Sequence, residues 1–233
     1  MTRGNEKREH PGESRYAAAT AIVVAIVLYA ALPSTLVILG PRFLIPVLEL
    51  ALLVPLFIGN PRRMTRQTRV LQWISIGLIL LIALANIVAL VLLVDELVNG
   101  GHTQKGGSLL IGAAQVWLTN IIVFALAYWE LDRGGPVVRT RVARSDLPPA
   151  DFRFPQDEDH DAIDEVAVRS AKRSDWTPGF LDYLYVSTTN SSAFSPTDTM
   201  PLSHRAKMLM ATESVSALLL SVIVIARGVS LLK

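Results

Sequence analysis

Apolar positions in this chain form long stretches that carry almost no charge, and short polar segments separate them. A helix that crosses a lipid bilayer needs about 20 apolar residues, and all but one of the stretches reach that length. The pattern therefore predicts an all-α, polytopic integral membrane protein with about five transmembrane helices. The five stretches, of which the second is the short one, cover residues 16–39, 43–58, 70–94, 108–131 and 205–232.

The second stretch has the features of a kinked or tilted span. Gly40 and Pro41 break the chain just before it, and Pro46 and Pro55 lie within it. Glu49 lies between these two prolines. Because ionisable groups are costly inside a membrane and often serve a function there, Glu49 is a candidate for binding an ion or a proton. The alternative is a neutral glutamate that is hydrogen-bonded to a neighbouring helix.

Composition agrees with the membrane class and excludes several others. Of the 233 residues, 51% are hydrophobic and none is cysteine. The lack of cysteine excludes disulfides, haem attachment and thiolate zinc sites, and a net charge of +2 is too small to indicate binding to nucleic acid. The chain contains no GxSxG, HExxH or nucleotide-binding glycine loop. We therefore expect neither an enzyme activity nor a cofactor or metal.

Polar segments divide the chain into four parts. A charged tail (1–15) precedes a four-helix transmembrane region (16–131), and a polar linker (132–176) leads to the C-terminal part (177–233). Prolines in the linker exclude one continuous helix, although 161–173 is suited to a short one. The mixed charge of the linker predicts that it lies mostly on the surface. Its acidic run lacks the ligand order of a calcium loop and is expected to be a solvated cluster.

Basic residues near the ends of the spans predict the orientation in the membrane. Twelve lysines and arginines flank one side and three flank the other, and the side richer in them is normally cytoplasmic. The chain is thus predicted to lie in a cell membrane, such as a bacterial inner membrane, with its N-terminus and the 132–176 linker in the cytoplasm. Five spans then place the C-terminus outside.

The segment before the last stretch combines a short helix with a polar turn. Thr177 and Pro178 are suited to a first helical turn. Four apolar residues follow at helical spacing, namely Phe180, Leu181, Leu184 and Tyr185. The helix is expected to end in the run of hydroxyl and amide side chains at 187–192. Pro196 then imposes an irregular stretch before a last helix that begins near Ser203.

The order of residues in this segment resembles the pore module of tetrameric potassium channels. That module reads roughly D-x-L-Y-x-S, then T-V-G-Y-G-D, then a proline, a hydroxyl residue and an arginine. The matching residues are Asp182, Leu184, Tyr185 and Ser187, followed by Asp198, Pro201, Ser203 and Arg205. The segment also resembles the C-terminal region of an uncharacterised family of bacterial integral membrane proteins. The likeness to channels, over about fifty residues, implies a re-entrant pore helix and a homo-tetramer that passes ions. The alternative is a structural helix that lies at the membrane interface.

The match fails at the residues that form the ion filter. Residues 193–197, AFSPT, stand where T-V-G-Y-G would lie. The filter geometry uses glycines to turn carbonyls toward the ion, whereas Pro196 fixes φ near about −65°. We therefore expect a wider and weakly selective path for monovalent cations instead of a potassium-type carbonyl ring. The candidates for its lining are Thr188, Thr189, Asn190, Ser191, Ser192, Ser195, Thr197, Asp198 and Glu213.

Three functions follow from these patterns. The first is a homo-oligomeric pore-loop channel, with its loop entering from the cytoplasmic side as in glutamate-receptor channels. The second is a non-conducting membrane scaffold or accessory protein, in which the same segment packs helices or binds a partner. The third is a transporter that uses Glu49. In all three the bilayer is a partner, and Asn86, Gln115 and Asn120 are expected to hydrogen-bond between helices.

Overall fold

A computed structural model describes most of the chain and shows a mostly helical protein. The described residues are 10–37, 40–66, 68–99, 106–158, 164–192 and 198–230. Their helices are α1 (Tyr16–Ala30), α2 (Leu44–Gly59), α3 (Arg69–Val98), α4 (Gly106–Leu131), α5 (Pro136–Arg141), α6 (Asp164–Ala167), α7 (Ala171–Ser174), α8 (Phe180–Ser192) and α9 (His204–Ser230). Short strands form two antiparallel pairs: β1 (Glu13–Ser14) with β2 (Arg63–Met64), and β3 (Phe152–Arg153) with β4 (Met200–Pro201).

Three helices are long and apolar enough to cross a membrane. The qualifying segments are Arg69–Val98, Gly107–Gly134 and His204–Arg227. The chain is therefore a membrane protein by the length and composition of its helices. The apolar helices α1 and α2 are shorter, with 15 and 16 residues.

The helix α3 illustrates how the spacing of apolar residues builds the core between the helices. Its buried side chains recur every three or four residues, at Leu78, Ile82, Ala85, Ala89 and Leu93, so they form one stripe along the helix. Its opposite face is also apolar but exposed, at Leu80, Leu84, Ile87 and Val91. A helix that is apolar on its exposed face as well as its buried face suits contact with lipid.

The helices form a bundle whose two ends have different chemistry. We call the end that holds Glu13, the C-terminus of α4 and the 132–158 segment the near end, and the opposite end, with Arg42, the far end. At the near end, Trp129 donates its indole N–H to Glu13 over 3.0 Å. At the far end, the Arg42 guanidinium donates to the carbonyls of Ala30 and Leu32, each over 2.8 Å. Arg42 thus satisfies carbonyls that α1 leaves free where it ends.

The first part of the polar linker contains several buried side chains, although most of its residues are exposed or half-buried, in line with the expectation of a mostly surface-lying segment. Asp132, Arg139, Phe152 and Phe154 are all at most 3% exposed. Their side chains close the near end of the bundle, and the ring of Phe152 packs edge-on against Tyr128 with 5.0 Å between the centroids. Composition does not reveal these buried residues, because charges that pair with distant partners can be buried.

The second part of the linker contains two single-turn helices instead of one longer helix. The helices α6 and α7 lie within the predicted 161–173 region and just beyond it, and residues 168–170 separate them. The hydroxyl of Ser170 accepts a hydrogen bond from the backbone N–H of Arg173 and so caps α7. Residues 161–163 of the prediction lie outside the described residues.

The helices α8 and α9 both begin at the near end of the bundle. The N–H of Phe180, the first residue of α8, donates to Glu13 over 2.6 Å. Farther along α8, Ser187 donates to the carbonyl of Ile121 in the middle of α4. After α8 ends, β4 lies at the near end again, where it pairs with β3. Ser203 accepts from the N–H of Ala206 and caps α9, so the helix begins at the predicted place.

Candidate functional site

The carboxyl group of Glu213 lies at the centre of a polar cluster inside the bundle. Glu213 is fully buried on α9. Its Oε2 accepts from the hydroxyl of Tyr128 over 2.5 Å and from the amide of Asn190 over 2.7 Å. Its Oε1 accepts from Ser191 over 2.9 Å and also contacts the hydroxyl of Ser187. We call these five residues the Glu213 cluster.

The cluster is a junction of three helices. Ser187, Asn190 and Ser191 lie three and four residues apart, which places them on one face of α8. Tyr128 comes from α4 and Glu213 from α9. Asn190 strengthens the junction, since its side-chain oxygen accepts a hydrogen bond from the Ser214 hydroxyl on α9 over 2.9 Å. The amide and hydroxyl groups at the end of α8 therefore bind it to both neighbouring helices.

Counting protons at Ser187 indicates the charge state of the cluster. The Ser187 hydroxyl lies 2.8 Å from the carbonyl oxygen of Ile121 and in contact with Oε1 of Glu213. A serine hydroxyl has one proton to donate, and a backbone carbonyl has none. If Glu213 carries a proton and donates it to Ser187, both contacts are full hydrogen bonds, whereas otherwise the two acceptors share the single serine proton. A neutral carboxyl group also avoids the cost of a buried charge without a counter-ion.

The remaining predicted lining residues lie elsewhere. The hydroxyls of Thr188, Thr189 and Ser192 donate to carbonyls of α8 itself, over 2.7 to 2.9 Å. Thr188 and Asp198 are exposed. Ser195 and Thr197 lie outside the described residues. The structure thus brings three of the nine predicted residues, Asn190, Ser191 and Glu213, into the cluster. The other described ones make no contact with Glu213.

Glu49 is buried away from the Glu213 cluster, on α2. The residue is 1% exposed, and its Oε2 has no hydrogen-bond partner among the described residues. Of the expected interhelical amides, Asn86 donates to Asn120 over 3.3 Å, and Asn120 donates to Ser216 over 3.3 Å. That prediction is confirmed for both, whereas Oε1 of Gln115 has no partner in the described part of the chain.

A second set of polar contacts, which the sequence did not predict, holds the start of α8. The carboxylate of Glu13 accepts from Trp129, from the N–H of Phe180 and from Arg139, the last over 2.9 Å. The Gly179 N–H donates over 2.7 Å to Oδ2 of Asp182. The contacts made by Glu13 join residues more than a hundred positions apart, so no local pattern could have revealed them.

Buried charges at the near end are matched to one another. Asp132 is fully buried and accepts from the Tyr183 hydroxyl over 2.5 Å. Burial holds the pKa of Tyr183 well above its ordinary value, so the hydroxyl keeps its proton and remains a donor. Burial alone would lower the pKa of Arg139, but the carboxylates of Glu13 and Asp132 oppose that effect, and the pKa is held above its ordinary value. Arg139 therefore stays a cation.

The start of α9 is held by an ion pair at the same end. Arg205 donates to both carboxylate oxygens of Asp151, over 2.7 and 2.5 Å. The Ser203 hydroxyl also donates to Asp151 over 2.5 Å. Both Arg205 and Ser203 belong to the motif that resembles the channel module, and here they dock on the linker. Among the described residues, no group of three or more His, Asp or Glu side chains could hold a metal ion.

Comparisons with known proteins do not identify a family. No family model matches the chain, and neither a curated protein nor a solved structure does. Conclusions about function must therefore come from the geometry of the described residues.

Proposed function

We propose that the chain is a five-span membrane protein in which α8 is a re-entrant helix, and that copies of it assemble around a weakly selective path for monovalent cations. In this proposal α1, α2, α3, α4 and α9 cross the bilayer. The helices α1 and α2 are about 22 and 24 Å long at 1.5 Å per residue. They are shorter than a hydrocarbon core of about 30 Å, and the turn Ser34–Leu36 extends the reach of α1.

The observation that carries the proposal is the depth that α8 reaches. Ser187 contacts Ile121, which lies ten residues before the end of α4 at Leu131. Ten helical residues span about 15 Å, or half of a hydrocarbon core of about 30 Å. By Met200 the chain has returned to the near end, from which α8 began. A short helix that enters, a return to the same side and a long following helix form the arrangement of a pore loop.

The outward face of α8 supports the assignment of a path. Leu181 and Tyr185 on this face are 66% and 58% exposed, and Thr188 continues it toward the centre of the bundle. In an assembly of four copies, this face would line the shared axis, with Ser192 and Asp198 near the narrowest part. The Glu213 cluster then holds α8 in place and does not contact ions.

The resemblance to the potassium-channel module agrees with this arrangement, and the missing filter glycines favour weak selectivity. The basic residues near Arg63 and Arg139 favour the near end as the cytoplasmic one. The loop would then enter from the cytoplasm, with the N-terminus and the linker on that side.

Ion flux into liposomes tests the proposal. Purified protein reconstituted in vesicles should carry K⁺ and Na⁺ at similar rates, and Asp198→Asn should reduce the flux severalfold because it removes an attractive charge from the path. Asp146→Asn is the matched control, since Asp146 is exposed on the linker and outside the proposed path. Tight liposomes containing an intact oligomer would refute conduction.

A non-conducting scaffold is the second candidate, and a separate observation favours it. The buried polar groups of α8 find all the partners named above within one subunit, so no ion is needed to satisfy them. Under this alternative the purified oligomer leaves liposomes tight, and substitutions in the Glu213 cluster change its stability alone.

A further inference from the structure

A cavity at the near end of the bundle lies apart from α8 and has a charged lining. Its volume is about 40 Å³, which takes a compact polar group and excludes an acyl chain. It lies where α2 ends, α3 begins and α4 ends. Its polar lining residues are Arg15, Asn60, Arg66, Gln72, Ser75 and Glu130.

Two cationic groups line the cavity, and a buried nitrogen of one of them lacks an acceptor among the described residues. Nη1 of Arg15 is buried and has no hydrogen-bond partner among the described residues. Burial lowers the pKa of Arg15, while the nearby Glu130 opposes that shift. The guanidinium of Arg66 is exposed and makes no ion pair within the described ranges. An acceptor that both arginines can reach would remove the cost of the unpartnered donor.

The lining also contains a carboxyl group. Glu130 is 8% exposed, and its Oε2 accepts from the Ser75 hydroxyl over 2.9 Å. The cavity therefore has two cationic groups and one acidic group, so a purely anionic ligand would meet Glu130 unfavourably. A ligand that carries both an anion and a cation matches both kinds of charged group.

The cavity lies at the level of the membrane surface. Trp73, one turn into α3, is 71% exposed, and tryptophan at a helix end is typical of the headgroup layer. Arg66, which lines the cavity, belongs to a segment whose arginines are exposed. Molecules that carry phosphate and amine groups at this level are phospholipid headgroups.

We propose that this cavity binds the headgroup of a zwitterionic aminophospholipid, with the phosphodiester facing Arg15 and Arg66 and the ammonium facing Glu130. Gln72 provides a further amide donor for the phosphate. Because Arg15 precedes α1, Arg66 follows α2 and Glu130 ends α4, the bound lipid links three helices. This inference depends on insertion in a membrane and not on ion conduction.

Native mass spectrometry of the full chain in detergent tests the assignment. Dioleoyl phosphatidylethanolamine and dioleoyl phosphatidylglycerol are added in equal amounts, and the protein is expected to retain more of the first. Arg66→Gln should weaken retention about fivefold, the effect of one arginine near a lipid surface. Arg62→Gln removes an equal charge from the same loop, outside the cavity lining, and should change retention little.

The Glu130→Gln variant distinguishes recognition of a zwitterionic headgroup from a general attraction for lipid phosphate. This variant should lose the preference for phosphatidylethanolamine while still binding phosphatidylglycerol, which also shows that it has folded. Equal retention of the two lipids by the unmodified protein would overturn the proposal. Equal losses in Arg66→Gln and Arg62→Gln, or a preference unchanged in Glu130→Gln, would overturn it as well.

Discussion

The hydroxyl of Tyr128 donates a 2.5 Å hydrogen bond to Oε2 of Glu213 in the fully buried interior of the bundle. This contact joins α4 to α9, and α8 binds the same carboxyl group through Asn190, Ser187 and Ser191. One acid thus fixes the relative positions of three helices. This junction holds α8 at the middle of the bundle.

Removing the Tyr128 hydroxyl should weaken the junction without creating a large cavity. We expect Tyr128→Phe to lower the free energy of unfolding by about 1–2 kcal/mol, because Oε2 loses a buried donor. Tyr16→Phe removes the same hydroxyl from a residue that is 57% exposed, and its effect should stay below about 0.5 kcal/mol. Equal effects of the two changes, measured by unfolding in detergent, would contradict the role of Tyr128.

The proton count at Ser187 predicts how substitutions of Glu213 differ. Glutamine matches the shape of a neutral carboxyl group and can donate to Ser187, so Glu213→Gln should cost less than about 1 kcal/mol. Glu213→Ala leaves several buried donors without an acceptor and should cost about 2–4 kcal/mol. Infrared spectroscopy should show a carboxylic-acid carbonyl band that disappears in Glu213→Gln. Without such a band in the unmodified protein, Glu213 is ionised and this interpretation is wrong.

The sequence predicted the long apolar helices, the short helix at Phe180 and the start of α9, because these depend on local patterns such as apolar runs and the Ser203 cap. It also singled out Asn190, Ser191 and Glu213 as candidate lining residues. It did not show that they bind one another, because their spacing along the chain is equally compatible with lining a path.

The burial of charged residues at the near end could not be predicted from the sequence, for a different reason. Asp132 and Arg139 belong to a segment whose composition is typical of a solvated linker. Only their contacts with Tyr183 and Glu13 explain why they are buried. Those partners lie 51 and 126 positions away. Pairing over such separations depends on the assembled fold, which local composition does not encode.

Loss of the Glu13 carboxylate should loosen α8 at its start. In Glu13→Ala the N–H of Phe180 loses its acceptor and Arg139 loses a buried counter-ion, and breaking a buried pair typically costs about 3–5 kcal/mol. We expect hydrogen exchange of the α8 amides to speed up at least about tenfold. Glu165→Ala alters an exposed glutamate on α6 and should leave α8 exchange unchanged. Unchanged exchange in Glu13→Ala would refute the anchoring role.

Glu49 distinguishes a channel from a transporter. If ions pass beside α8, Glu49→Gln should leave flux unchanged within about twofold, because α2 does not contribute to that path. Loss of flux in Glu49→Gln, combined with normal flux in Asp198→Asn, would favour a transporter that uses the buried carboxyl group on α2. Vesicle flux assays of the two variants side by side provide the measurement.

The most direct test of the central claim is the distance between equivalent residues in neighbouring subunits. The chain has no cysteine, so Thr188→Cys introduces a single attachment point for a spin label, and Ile87→Cys provides a control on the exposed outer face of α3. In the reconstituted protein, double electron–electron resonance should give the set of label-to-label distances expected for a ring of four subunits. These distances should be shorter for Thr188→Cys than for Ile87→Cys. A monomer, or longer distances at Thr188, would contradict the claim that α8 faces a shared axis.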